Sequence, residues 1–474
     1  MLFNSLEFFF FFLIVIPLYF LLPHRLRWVM LLIASCIFYM YFKPVYILIL
    51  VFTILVDYFA GIAIEKTAGL RSRKMLLLVS LVANIGVLCF FKYFNFLTGN
   101  IGSLLSLSGH EVNLPVLNML LPIGLSFHTF QAMSYTIEIF RGNQKAEKHL
   151  GYFALYVLYF PQLVAGPIER PQNVLHQLRT EHRFDYNRFI QGLQLMLWGL
   201  FKKMVIADRL GVYVDTVYNN PDTFHGLPVI LAIIFFAFQL YCDFSGYSDV
   251  ALGVSKIMGI DLMVNFRRPF LSKTITEFWR RWHISLSTWF NDYVFTPFVM
   301  ARRDWGIWAV LSGLFLTFFL SGLWHGAGWT FIIYGCMHGL ALMYEVLTKK
   351  TRKKWNKKLP SFLYNGFSIV VSFVFVAISW VFFRAGSLHD AVTILKNSLV
   401  IKSFSFGVST VTSFNLSLMF ILVLLMLMFE NIYEHFNGIA LRVVHVRYLT
   451  IYILAFLIFT IGVFDKQAFI YFQF

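Results

Sequence analysis

A succession of apolar runs, most of them close to membrane-crossing length, constrains this chain more than any other feature. Crossing the hydrocarbon core takes about 20 apolar residues in a helix. Runs of that character lie at 5–22, 28–42, 45–64, 75–97, 114–140, 150–166, 189–207, 227–250, 307–324, 329–347, 361–383, 414–430 and 447–464. Only helices and closed barrels satisfy their backbone polar groups in lipid. Runs of this length predict an all-α polytopic membrane protein with about 11–13 membrane-embedded helices, some of them re-entrant. No polar stretch is long enough to fold as a separate soluble domain, so residues 1–474 are expected to form one transmembrane domain.

Composition agrees. Hydrophobic residues make up 59% of the 474 and charged residues 13%, with mean hydropathy +0.72. Soluble domains average about 45–50% apolar and about 25% charged. The net charge of +16 reads as lysine and arginine gathered in cytoplasmic loops, not as a nucleic-acid surface. Cys36, Cys89, Cys242 and Cys336 lie in or beside apolar runs without a CxxC pair, so they are expected to be small core residues rather than disulfides or zinc ligands. No basic region precedes the run that includes Phe8–Phe12, which is expected to be a retained first span.

The loops orient the spans. His24, Arg25 and Arg27 follow the first run; Lys66, Arg71, Arg73 and Lys74 the third; Arg141, Lys145 and Lys148 the fifth. The stretch 98–113 has no lysine or arginine. This alternation puts the N-terminus outside and the basic loops, including Lys349–Lys358, in the cytoplasm. The polar stretch 166–188 is expected at the cytoplasmic interface.

Ionisable groups at membrane depth are costly and usually functional. The densest set is NFRRPFLSKTITEFWRRWHISLSTWFNDYVFTPF, residues 265–298. Thr274 and Glu277 have capping-box spacing. A helix starting there would carry Phe278, Trp282, Trp289 and Tyr293 on one aromatic face, with Arg280, Arg281 and His283 beside it. Glu277 can reach Arg280 or Arg281 one turn on. Such a helix either lines a cavity or forms an interfacial belt with snorkelling arginines.

A second candidate is SGLWHGAGW, residues 321–329, between two apolar runs. Gly322, Gly326 and Gly328 weaken a continuous helix, and His325 stands at the interruption. Non-helical backbone at that depth needs protein or a water-filled cavity around it. A histidine there is either an acid/base group, with an ordinary pKa near 6.5, or structural. His338 and Glu345 follow nearby; His338 either shares the cavity or bonds to a backbone carbonyl. Asp57, His128, Glu138, Asp243 and Asp249 either line a cavity or tie helices together.

At these residues the chain resembles the bacterial membrane-bound O-acyltransferases, of the alginate O-acetyltransferase type. The resemblance rests on FPQLVAGPIERP (160–171), QLYCDFSGYSDVALG (239–253), FWRRWHISLSTWF and LWHGAGWTFIIYGCMHG, within Leu121–Trp329 and just beyond. It implies a ring of helices thinned around a central tunnel. It also implies a multi-pass enzyme of the bacterial cytoplasmic membrane. The family's catalytic histidine maps onto His325 and its companion onto His283. Arg280, Arg281, Trp282, Trp324, Asp243 and His338 become candidate substrate contacts, and Arg302 a possible anion contact. One departure stands out: where alginate-type members have Gly-Gly-Asn-Arg after DYxxxP, this chain continues from Pro297 as FVMARRDWG.

The implied chemistry needs no bound cofactor or metal. An acyl thioester, acetyl-CoA or an acylated carrier protein as in teichoic acid D-alanylation, is the donor. The acceptor is an exopolysaccharide or peptidoglycan outside the cell, and an extracytoplasmic SGNH-type transferase the implied partner. The end of the chain, AFIYFQF (468–474), resembles the family's and should dock on protein or at the interface. Tyr471 is either an interfacial anchor or a covalent acyl acceptor. A polysaccharide or lipid-linked sugar flippase, and a non-catalytic scaffold, remain alternatives of other classes.

Overall fold

A computed structural model of the chain describes residues 1–109, 112, 114–118, 122–164, 166–400, 405–408, 410–435, 444–464 and 469–470. Among these residues all regular structure is helical; the one isolated β-bridge, Val408 with Val411, belongs to no strand. Seven described helices are long and apolar enough to cross a membrane: Pro44–Lys66, Leu70–Leu107, Leu227–Met258, Ile307–His325, Trp329–Leu347, Ser361–Arg384 and Ser413–Ile432. Leu6–Leu21 and Val446–Ile461 are shorter apolar helices. The chain is thus an all-helical, multi-pass membrane protein. Outward-facing Phe9, Phe10, Ile14, Val82, Phe362 and Phe459 belong to an apolar exterior far beyond what a soluble monomer exposes.

Several expected boundaries move. The run 75–97 lies inside one 38-residue helix, Leu70–Leu107. At 1.5 Å per residue it is about 57 Å long, so most of the polar stretch 98–113 is helix rather than loop. Its apolar window is only 17% buried, because just one stripe, Ser80, Asn84 and Leu88, faces protein. Residues 114–118 are not helical, and the fifth run becomes a helix only from Leu125 to Arg141. The run 150–166 contains a nine-residue helix, Leu150–Leu158, and a four-residue one, Phe160–Leu163. At about 13 Å the longer is far short of the bilayer core. Within 166–188, Ile168 and Glu169 are buried in the protein. Cys89 is exposed on the long helix and only Cys242 is a buried core residue.

The chain forms two compact units, residues 1–196 with 250–263, and residues 197–249 with 264–474. Two of the three chain boundaries between them fall inside the helices Tyr186–Leu200 and Leu227–Met258, and the third in the non-helical stretch after Met258. In the first unit the embedded polar residues tie helices together. Asp57 accepts from Ser80 Oγ at 2.5 Å and from Asn84 Nδ2 at 2.9 and 3.0 Å. Ser80 also meets Thr136 at 2.9 Å, and His128 Nε2 meets Thr53 Oγ1 at 2.7 Å. Glu138 accepts from Arg141, Asn143 and Gln172.

In the second unit, the α-helical hydrogen bonding that ends at Leu200 gives way to a π-helical segment, Phe201–Ala207, before Asp208–Tyr218 resumes the α-helix. Such insertions recur at functional sites. This one turns two lysines inward: Lys202 pairs with Asp249 at 2.7 Å, and Lys203 with both Asp208 and Asp243 at 2.7 Å. Phe469 and Ile470 are buried in the same unit, so this part of the terminal segment docks on protein. Tyr471 lies outside the described residues.

Candidate active site

From Thr274 to Phe290 the chain forms two short helices rather than one. The first, Ile275–Trp279, begins as its sequence predicts: Thr274 Oγ1 accepts from the Glu277 N–H at 3.0 Å, and Glu277 accepts from the Lys273 N–H at 2.9 Å. Its remaining N-terminal donors go to Glu345, which accepts from Ile275 N at 2.6 Å, Thr276 N at 3.0 Å and Thr276 Oγ1 at 2.6 Å. A carboxylate at a helix N-terminus satisfies orphan donors and opposes the positive end of the dipole. Glu345 is therefore an anchor for this segment.

The helix then stops, and His283 lies at φ 45°, in the left-handed region that non-glycine residues seldom adopt. It precedes the second helix, Ile284–Phe290. The single aromatic face expected from spacing is therefore broken at His283. Asn265 enforces the break. Its carbonyl oxygen accepts from Ile284 N at 3.0 Å, while its side-chain Oδ1 accepts from Ser285 N at 3.1 Å and Ser285 Oγ at 3.0 Å. The backbone of Arg267 also donates to Arg281 O at 2.9 Å.

Asn265 also sets the histidine's tautomer. Oδ1 is identified as the oxygen by the Ser285 N–H that donates to it. His283 Nδ1, 3.2 Å from the same oxygen, must then carry the ring proton, which leaves Nε2 as the basic nitrogen. The residue is fully buried, and burial pushes its imidazole down to about 3. His283 is therefore held neutral, with a defined lone pair.

His325 is the last residue of Ile307–His325, and Gly328 caps the start of Trp329–Leu347. The interruption predicted from the glycines is present. These two helices cross closely at glycines: a Cβ on Gly322 would lie 2.4 Å from Phe331 O, and one on Gly335 2.4 Å from Phe318 O. A Cβ on Gly326 would lie 2.1 Å from the Phe331 ring. His325 is buried among Trp324 (centroids 4.8 Å), Phe383 (5.2 Å) and Tyr334 (5.7 Å). Trp324 also packs edge-on against His283 at 6.1 Å. One indole thus contacts both imidazoles that the sequence singled out.

The other candidates separate. Trp282 is buried against Phe278, Phe266 and Trp380 as packing. Arg281 pairs with Glu277 at 2.6 Å, while Arg280 is exposed. Arg302 stacks on Phe298 at 4.2 Å and Trp305 at 5.4 Å. Among the described residues His338 makes no backbone-carbonyl bond. Its Nδ1 accepts from Trp279 Nε1 at 3.1 Å, so Nε2 carries the proton and donates to Ser379 Oγ at 3.0 Å. With both nitrogens engaged, His338 is a structural link rather than an acid/base group.

Asp243 holds Lys203 on Oδ1 and accepts the Ile470 N–H on Oδ2 at 2.7 Å. Phe469 packs on Tyr247 at 4.6 Å and on Phe244 at 5.5 Å. Phe244 in turn meets the His283 ring edge-on at 4.7 Å. Asn265, Lys202 and Lys203 were not singled out from the sequence. The lysines could have been: two cations inside the apolar run 189–207 are the kind of embedded charge that demands a partner. Asn265 carries no such signal, since its role depends on reaching residues about twenty positions on.

The model of the membrane-bound O-acyltransferase family matches residues 74–387. A probable alginate O-acetylase of Pseudomonas syringae is 37% identical over 82% of this chain and 74% of its own length. A peptidoglycan O-acetyltransferase of Helicobacter pylori is 32% identical over 79% of this chain and 74% of its own. A teichoic acid D-alanyltransferase of Bacillus subtilis is 34% identical over 60% of this chain and 73% of its own.

Proposed function

Because the chain belongs to the membrane-bound O-acyltransferase family, we propose that it passes an acetyl group from a cytoplasmic thioester, acetyl-CoA, toward a polysaccharide or peptidoglycan outside the cell. The observation that carries the site assignment is the packing of Trp324 against both His325 and His283. An acetyl donor is favoured over a D-alanyl one because the O-acetylase relatives align over more of the chain.

A thioester is already activated, so the protein must place a hydroxyl against its carbonyl, take the proton and stabilise the oxyanion. We assign His325 as general base and His283, held as the Nδ1–H tautomer, as its positioning partner. The hydroxyl oxygen bonds to the acyl carbon, its proton goes to His325, and the carbon–sulfur bond breaks. The departing thiolate then takes a proton and leaves as free thiol. Tyr471 is the proposed first acceptor. The docking of Phe469 and Ile470 beside Phe244, which touches His283, supports this choice. The acetyl ester on Tyr471 would pass to an extracytoplasmic transferase of the SGNH type, so the donor need not leave the cytoplasm. On this reading the enzyme sits in the bacterial cytoplasmic membrane with its basic loops inside.

The test uses membranes containing the full chain and labelled acetyl-CoA. His325→Ala should insert and fold yet lower thiol release by at least about 10²-fold. Tyr471→Phe should abolish polymer acetylation while leaving expression normal, and the wild type without a downstream transferase should accumulate acetyl-Tyr471. Normal turnover by His325→Ala removes it as the base. Full polymer acetylation by Tyr471→Phe removes the carrier role. Transport of intact glycan without thiol release would favour a flippase.

A further inference from the structure

Between the spans Trp329–Leu347 and Ser361–Arg384 lies a third helix, Lys349–Lys358, with the sequence KKTRKKWNKK. Only Thr348 separates it from the first span, and Leu359 and Pro360 from the second. A helix tethered so closely to two spans must lie at the membrane surface, at headgroup depth.

At about 100° per residue, Lys349, Lys350, Lys353, Lys354, Lys357 and Lys358 occupy about half of the helix circumference. All six are exposed, and none pairs with a carboxylate among the described residues. No acidic residue occurs from Val346 to Pro360. Trp355 projects from the opposite side and is 55% exposed. The lysines then stand within a Debye length of the lipid phosphates.

A run of charge that only directs insertion needs no particular geometry, but this helix is pinned. Arg352 Nη2 donates to Glu345 O at 2.6 Å and its Nε to Thr348 Oγ1 at 3.3 Å, closing the C-terminal end of the preceding span. Tyr364 OH donates to Arg352 O at 3.3 Å from the span that follows. Arg352 is thereby spent on the fold, and the lysine face keeps a fixed orientation. Glu345, which receives Arg352 on its carbonyl, is the same residue whose carboxylate anchors Ile275 and Thr276 ahead of His283.

We propose that this helix is a binding face for anionic phospholipid headgroups, which supply the counter-charge the protein lacks there. Clusters of four to eight cations beside a span favour anionic lipid in this way. The inference does not depend on which acyl group or acceptor the enzyme uses.

The experiment is native mass spectrometry of the full chain, extracted from vesicles of phosphatidylcholine mixed with phosphatidylglycerol. The wild type should retain phosphatidylglycerol over phosphatidylcholine. Replacing Lys349, Lys350, Lys353 and Lys354 by Gln should lower that preference at least about tenfold, whereas Arg at the same four positions should preserve it. Monodisperse elution of each variant shows that it is folded. Unchanged preference in the Gln variant, or none in the wild type, overturns the proposal. Loss of coenzyme A retention with lipid preference intact would assign the helix to the donor's phosphates and overturn it equally.

Discussion

The backbone N–H of Ile470 donates to Asp243 Oδ2 at 2.7 Å, so a buried carboxylate grips the chain one residue before Tyr471. The other oxygen of Asp243 is held by Lys203. Asp243→Ala strands the amide without an acceptor, at about 1–3 kcal/mol, and breaks a buried pair, which typically costs about 3–5 kcal/mol. Asp243→Asn keeps an acceptor oxygen for the amide. Both variants should melt earlier than wild type. Only Asp243→Ala should open an Ile470→Cys reporter to a thiol reagent; equal protection in both would mean that this bond does not hold the segment.

Asp208 should give the protein a specific pH dependence. It is buried with Lys203 at 2.7 Å. Burial pushes its carboxyl up to about 7, and the Asp243 charge adds to the rise while Lys203 opposes it. The ordinary value is 3.8, so the folded protein retains a proton that the unfolded chain releases. That contribution to stability is complete below pH 3.8 and is lost as pH rises through about 7. Asp208→Asn mimics the protonated form. The melting temperature of wild type, measured against Asp208→Asn, should fall across this window and run level above it. Parallel curves throughout would show that Asp208 titrates normally.

Asn265 should matter more than its chemistry suggests. Asn265→Leu removes the acceptor shared by Ser285 and His283, and each stranded donor costs about 1–3 kcal/mol. The tautomer of His283 is no longer specified, so acyl transfer should fall at least about tenfold, whereas Asn265→Asp should retain more. Assays of thiol release alongside thermal melts separate the two effects. Equal turnover in Asn265→Leu and wild type would show that the histidine needs no orientation.

The glycine turn offers a steric contrast. Gly326 and Gly328 both have extended backbone, so neither needs glycine for its φ. A Cβ on Gly326 meets the Phe331 ring at 2.1 Å, whereas the nearest atom to one on Gly328 is 3.6 Å away. Gly326→Ala should destabilise by about 1–3 kcal/mol and disturb His325 beside it; Gly328→Ala should be neutral. The melting temperatures of the two variants decide this, and a neutral Gly326→Ala would mean that Phe331 has room to move.

What the sequence determined by itself is what depends on short-range pattern. Apolar runs place helices because lipid leaves the backbone no other way to satisfy its polar groups. Ile307–His325 and Trp329–Leu347 fall where the runs and glycines put them, and Thr274 caps the helix its spacing announces. The WHG and RRWH blocks announced both histidines. What only the tertiary structure decided is what depends on partners far away in the chain. The break at His283 comes from Asn265, the neutrality of that ring from complete burial, and the diversion of His338 from Trp279 and Ser379. The inward turn of Lys203 depends on a π-helical segment and on Asp208 and Asp243 being there to receive it. Local spacing can bring a residue to a helix face, but whether that face meets a carboxylate, an indole or lipid is settled only when the helices pack.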